Sequence, residues 1–122
     1  MRIITRADLK EKMEGLEDLK LVFTLGEWQY RAMHIPGPLN IPCSPSLFAL
    51  QEGVQQLKPD DEIVVYCSND ICYASISVYY FLTQRGFKNV SRYAGGLEDW
   101  YEAGYPLAGN TETASGRPGA SP

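Results

Sequence analysis

The segment Glu62-Ile63-Val64-Val65-Tyr66 constrains this chain more than any other. It is short, β-branched and continuous, with no polar residue at alternate positions after Glu62. A strand with one wet face alternates; a strand covered on both faces does not, and the usual place for one is the middle of a parallel sheet. The polar turn Lys58-Pro59-Asp60-Asp61 introduces the run, and Cys67 follows it at once. Beyond the cysteine the spacing predicts a helix over Tyr73 to Gln84, with Ala74, Val78, Phe81 and Leu82 at helical intervals and Gly86 as its stop.

The flanking segments repeat this alternation of strand and helix. Ile3-Ile4 is an edge-strand stub. Thr5 reads as the N-cap of a helix over Arg6 to Met13, with Leu9 and Met13 on one face and Gly15 ending it. Lys20 to Thr24 carries the buried-strand run Leu21-Val22-Phe23, and Glu27 to Ala32 forms a short helix. His34-Ile35-Pro36-Gly37 is a turn, and Leu39-Asn40-Ile41 is a short strand closed by Pro42. Ser44-Pro45 opens a helix with Leu47, Phe48, Leu50, Val54 and Leu57 on an irregular apolar face interrupted at Gly53. Val90 to Tyr93 is the last strand. Gly95-Gly96 turns into a helix over Leu97 to Ala103 that carries Trp100 and ends at Gly104.

This order predicts an α/β fold: an open, mostly parallel five-stranded sheet with helices on both faces. Ligands of such sheets bind outside the carboxyl ends of the strands, where Cys67 stands. The domain is expected over residues 1–107. Residues 108–122 contain no large apolar side chain and are expected to form a disordered tail.

The formal charge of −4, from 11 Lys+Arg against 15 Asp+Glu, disfavours nucleic acid or an anionic membrane as the main partner. No apolar run reaches the roughly 18 residues of a membrane span, and Met1 to Thr5 run into Lys10-Glu11-Lys12 without the apolar core of a signal peptide. Three cysteines, Cys43, Cys67 and Cys72, cannot all pair within the chain. With His34 as the single histidine they lack the paired spacing of a structural zinc site. Free thiols, no metal, no cofactor and a cytoplasmic location are the expectations.

A thiol between a strand end and a helix start can receive hydrogen bonds from the amides of a curled loop and feel the partial positive charge of the helix terminus. Both favour thiolate, the nucleophilic form. The same position also suits an inert, small, buried cysteine.

Several blocks in order bear on that choice. Arg31-Ala32-Met33-His34-Ile35-Pro36-Gly37-Pro38-Leu39-Asn40-Ile41-Pro42 resembles the “GHIPGAINIP” signature of the rhodanese family. Glu62 to Cys67 resembles that family's strand into its active-site cysteine. Gly86-Phe87-Lys88-Asn89-Val90, followed by Gly95-Gly96-Leu97-Glu98-Asp99-Trp100 and Ala103-Gly104-Tyr105-Pro106-Leu107, resembles its ending. The resemblance covers roughly Ile3 to Leu107. It implies sulfane-sulfur transfer, in which Cys67 takes sulfur from a small donor or a protein persulfide and passes it to a thiophilic acceptor. By the same resemblance Ser68, Asn69, Asp70, Ile71, Cys72, Tyr73 and Ala74 form the cradle of the persulfide.

Three departures stand out. The segment from Cys67 to Ser75 lacks the family's arginine and contains Asp70. Its loop is about two residues longer than usual and resembles a variant of the form C-x4-C-x-x-S, here Cys67, Cys72 and Ser75. The places of the family's Asp-x-Arg pair hold Phe23 and Leu25. With no local cation, weak use of the dianion thiosulfate is expected, with polysulfide or a protein persulfide the better donor. Alternatives are a catalytically weak module that binds a partner protein and a thiol redox pair of Cys67 and Cys72. A cysteine phosphatase would need an arginine where Tyr73 stands. His34 is expected to fix the Ile35-Pro36-Gly37 turn, Cys43 to be buried, Trp28 and Trp100 to pack, and Tyr73 to line the pocket mouth.

Overall fold

A computed structural model describes residues 1–16, 18–37, 39–41, 43 and 47–109. The strands are β1 (Ile3–Ile4), β2 (Lys20–Phe23), β3 (Leu39–Asn40), β4 (Glu62–Tyr66) and β5 (Asn89–Tyr93). The helices are α1 (Arg6–Gly15), α2 (Glu27–Ala32), α3 (Leu47–Val54), α4 (Tyr73–Gln84) and α5 (Gly96–Glu102). All five strands pair in parallel in the order β1-β5-β4-β2-β3, so β4 is central, as its unbroken apolar run requires.

Two apolar layers cover the sheet. On one face Val22, Ile63, Val65 and Val90 meet Val78, Tyr79 and Leu82 of α4, with Ile41 and Leu57. On the other, Leu21, Phe23, Val64, Tyr66 and Tyr93 meet Leu9 of α1 and Trp100 of α5. The alternation of β4 is thus between two cores, and each fully buried aliphatic side chain contributes about 1.5–3 kcal/mol. Thr5 caps α1: its hydroxyl accepts from the Asp8 amide at 3.1 Å, and the Asp8 carboxylate accepts from the Thr5 amide at 3.0 Å.

Two expectations need adjustment. Gly53 lies inside α3 and does not interrupt it. A Cβ there would stand 2.6 Å from Cγ2 of Ile41, so the missing side chain lets the helix close onto the core. The domain also extends past Leu107. Ala108 forms an antiparallel bridge with His34, with N–H···O distances of 2.9 and 2.8 Å in the two directions. The remaining tail, 110–122, and the helix opening at Ser44-Pro45 lie outside the described residues.

Candidate functional site

The site begins where β4 ends. The Tyr66 carbonyl accepts from the Thr24 amide at 3.0 Å and the Thr24 hydroxyl at 3.1 Å, while the Tyr66 hydroxyl accepts from the Ile35 amide at 2.9 Å. Both ends of the residue before Cys67 are therefore held. Burial drives the Tyr66 phenol's pKa far up.

The next two carbonyls are held from α5. The Leu97 amide donates to Cys67 O and the Glu98 amide to Ser68 O, each at 2.8 Å. This close approach explains Gly96. Gly96 has φ +70°, and a Cβ there would stand 2.5 Å from Cys67 O.

Cys67 is buried, at 1% exposure. Its Sγ lies 3.4 Å from Ser75 Oγ and 3.6 Å from Cys72 O. Burial, then the interaction with the Cys72 thiol, pushes the Cys67 pKa up, against hydrogen bonds from the Ser75 hydroxyl and amide. Cys72 goes the other way. Its own burial raises its pKa, but that is outweighed by hydrogen bonds from the Cys67 thiol, the Ala74 and Ser68 amides and the Ser68 hydroxyl. Burial thus works against the loop and helix terminus that were expected to favour the Cys67 thiolate.

The expected cradle is used selectively. Ser68, Cys72 and Ala74 gather at the sulfurs. The Ile71 amide donates to Asn69 Oδ1 at 3.2 Å and the Cys72 amide to Asn69 O at 3.3 Å, so these two N–H groups serve the turn. Asp70 is exposed and turns its backbone carbonyl, not its carboxylate, inward. Ile71 and Tyr73 are each 78% exposed and flank Cys72 at the mouth. Beside the loop, Met33, Ser68, Leu97, Glu98, Tyr101 and Glu102 line an open cleft of about 340 Å3.

Reading the loop alone misses Arg92. It is 4% exposed on β5, and its Nε donates to Ser75 Oγ at 2.8 Å and its Nη2 to Asp70 O at 3.1 Å. A cation from a neighbouring strand thus reaches the underside of a loop that carries none. The signal was present in Val90-Ser91-Arg92-Tyr93: an arginine inside a strand otherwise suited to burial.

The other candidates sort as follows. Phe23 is fully buried against Tyr66, with ring centroids 5.1 Å apart, and Leu25 packs beside this layer, so an apolar contact replaces the Asp-x-Arg pair. His34 does not fix the turn that follows it. Its Nδ1 lies 2.6 Å from Tyr30 O and its ring stacks on Tyr30 at 4.0 Å, so it closes the end of α2. Trp100 is buried, but Trp28 is 81% exposed because α2 turns it away from the sheet. Cys43 is exposed rather than buried. Its amide continues the pairing along β2 by donating to Thr24 O at 2.8 Å, beyond an edge strand with no further strand to cover it. Among the described residues no three Cys, His, Asp or Glu side chains form a metal-ligating cluster, and no helix is long and apolar enough to cross a membrane.

Comparison with known proteins places this geometry. Residues 5–103 match the family described as Rhodanese-like domain. The fold superposes on the rhodanese-like domain of an Anabaena sp. protein with a TM-score of 0.80, at 23% identity, covering 97% of this chain and 86% of that one. It superposes on a thiosulfate sulfurtransferase from Pseudomonas aeruginosa with a TM-score of 0.74, also at 23% identity, covering 94% of this chain and 21% of that one. At such identities the likeness is one of fold. An HTH-type transcriptional regulator of Mycobacterium tuberculosis is 33% identical over 104 residues, which is 85% of this chain and 43% of that protein. The chain therefore spans less than half the length of that relative. From the family match across strand, thiol loop and closing helix, the chain belongs to the rhodanese-like domain family.

Proposed function

We propose that the domain carries sulfane sulfur as a persulfide on Cys67. The Cys67 thiolate attacks the outer sulfur of a persulfide or polysulfide donor. A bond forms from Sγ to that sulfur, the donor's S–S bond breaks, and the donor's inner sulfur leaves with the electron pair as a thiolate. A nucleophilic acceptor then attacks the outer sulfur, and the Cys67 thiolate is regenerated. The observation that carries this reading is the seat of Sγ, at the end of the central strand and 3.4 Å from the Ser75 hydroxyl in the first turn of α4. For the attack Cys67 must lose its proton, and the Ser75 hydroxyl and amide are placed to hold the thiolate that results.

The acidic surroundings support a donor other than thiosulfate. Asn69, Asp70, Gly95, Glu98 and Glu102 share a second open cleft of about 390 Å3, which repels a dianion at the mouth. Intact mass after brief exposure to polysulfide tests the reading. Wild type should gain one sulfur atom and Cys67→Ser none; equal gain in both would defeat it.

The closeness of Cys67 Sγ to Cys72, 3.6 Å from its carbonyl oxygen, favours a second reading, a thiol redox pair. With peroxide as oxidant, one thiol becomes a sulfenic acid and the other displaces water to close a disulfide. Non-reducing peptide mapping should then show Cys67 linked to Cys72. Stable sulfinic acid at either residue instead would exclude it.

A further inference from the structure

We propose that Arg92 is a positioning residue for the Cys67 sulfur: from β5 it occupies the acceptor side of the Ser75 hydroxyl, turns that hydroxyl's proton toward Sγ, and sets a positive charge beneath an anion formed there. The proposal rests on the reading of Cys67 as the reacting thiol and adds the residue that replaces the loop's missing cation.

Three observations lead to it. The first is a charge without a counter-charge. A buried guanidinium is costly unless an anion balances it. Arg92 is 4% exposed, yet both of its hydrogen bonds go to neutral oxygens, Ser75 Oγ and Asp70 O. Among the described residues no carboxylate lies within ion-pair distance of it. The second is direction. Arginine can only donate, so Ser75 Oγ must accept from Nε, and its own hydrogen is left for another partner. Sγ of Cys67 is 3.4 Å away, and as a thiolate or persulfide it is an acceptor. The third is register. Arg92 pairs with Val65, whose side chain faces α4, and Cys67 is two residues further along the same strand direction. The parallel ladder thereby sets the guanidinium one pleat below the thiol. The Arg92 amide, donating to Arg2 O at 2.8 Å, holds the register from the other side.

The other titratable groups around the thiol do different work. Cys72 approaches Sγ with its backbone carbonyl, at 3.6 Å. Asp70 is exposed. Glu98 of α5 reaches Asn69 Nδ2 at 3.5 Å. On the strand and helix that carry the site, the Tyr66 hydroxyl serves Ile35, and the Tyr79 hydroxyl accepts from the Arg2 amide at 3.0 Å.

The test is the pH profile of iodoacetamide labelling at Cys67, resolved by peptide mass on the full chain. Ser75→Ala and Arg92→Met should each raise the midpoint by about one pH unit, a roughly tenfold slower labelling at pH 7. The double variant should shift by clearly less than the sum, because the arginine acts through the hydroxyl. Additive shifts, or an unmoved midpoint in Arg92→Met, would overturn the proposal. If Arg92→Met does not fold, Arg92→Lys decides. A midpoint between wild type and Ser75→Ala supports the relay, because lysine keeps the charge and loses the fork. A lowered urea midpoint with an unmoved labelling profile shows a merely structural arginine and overturns it. Labelling uses no sulfur donor. A chain that labels as expected but gains no sulfur from polysulfide therefore defeats the persulfide reading and leaves the relay standing.

Discussion

Arg92 and Tyr93 are adjacent in β5, and the alternation of the strand sends them to opposite faces of the sheet. On the α1/α5 face, Tyr93 donates to Asp99 at 2.5 Å, and Asp99 also pairs with Arg6 at 2.9 Å. Every charge in that cluster has an opposite, and both ionic side chains reach solvent, at 40% and 36% exposure. On the α4 face, Arg92 is buried with only a hydroxyl and a carbonyl for company. The first arrangement is complete as it stands and ties α1 to α5. The second acquires its balancing charge when the sulfur ionises. Two guanidinium groups of one small domain thus differ in whether the fold or the chemistry supplies their counter-ion.

The strongest way to break this contrast is through Gly96, which serves both faces. It begins the helix that carries Asp99, and it lets the α5 amides reach Cys67 O and Ser68 O. Gly96→Ala adds a Cβ 2.5 Å from Cys67 O at φ +70°. A loss of at least about 2 kcal/mol is expected in urea unfolding, together with slower labelling of Cys67. An unchanged midpoint would mean that α5 does not hold the loop.

Alkali separates the faces next. Burial, then the hydrogen bond to Asp99, drives the Tyr93 phenol's pKa far above its ordinary value, and burial does the same for Tyr66. Below pH 10 both states keep these protons. Above it the unfolded chain loses them while the folded chain does not, so stability falls as pH rises. The slope is up to about 1.4 kcal/mol per pH unit for each phenol. Tyr93→Phe should remove one such contribution from urea midpoints measured between pH 9 and 11, and Arg92→Lys should leave the slope alone. An equal slope in Tyr93→Phe would show that its phenol ionises freely in the fold.

The smallest effect belongs to Ser91, between the two. Its Oγ is buried and has no hydrogen-bond partner among the described residues. An unpaired dipole is a far smaller cost than an unpaired charge, so Ser91→Ala should leave stability within about 1 kcal/mol of wild type, on the side of a gain. A clear loss in the urea midpoint would reveal a partner for the hydroxyl and weaken the contrast with Arg92.

Much of the architecture was legible because single stretches decide it. The unbroken run Ile63 to Tyr66 pointed to a central strand, Thr5 read as a helix cap, and Tyr73 to Gln84 carried one apolar face. The thiol was legible for the same reason, since a strand end, a loop and a helix start are local. What failed were properties set by neighbours distant in sequence. The charge beneath the loop comes from a residue 25 positions after Cys67, placed there by the β4–β5 ladder. Trp28 and Cys43 were misread because a short helix and an edge strand offer nothing to cover them.

The strand order has a consequence for assembly in time. β5 is made last of the five strands, yet it lies between β1 and β4 and joins the two parts of the sheet. β1 has no strand partner until residues 89–93 exist, and its pairing then closes a loop of nearly the whole domain. Such non-local closure slows folding. During synthesis Cys67 leaves the ribosome before Arg92 and before the α5 amides that hold its carbonyl. The nascent thiol is therefore an ordinary exposed cysteine, and its special environment arrives in one step with the strand that completes the sheet.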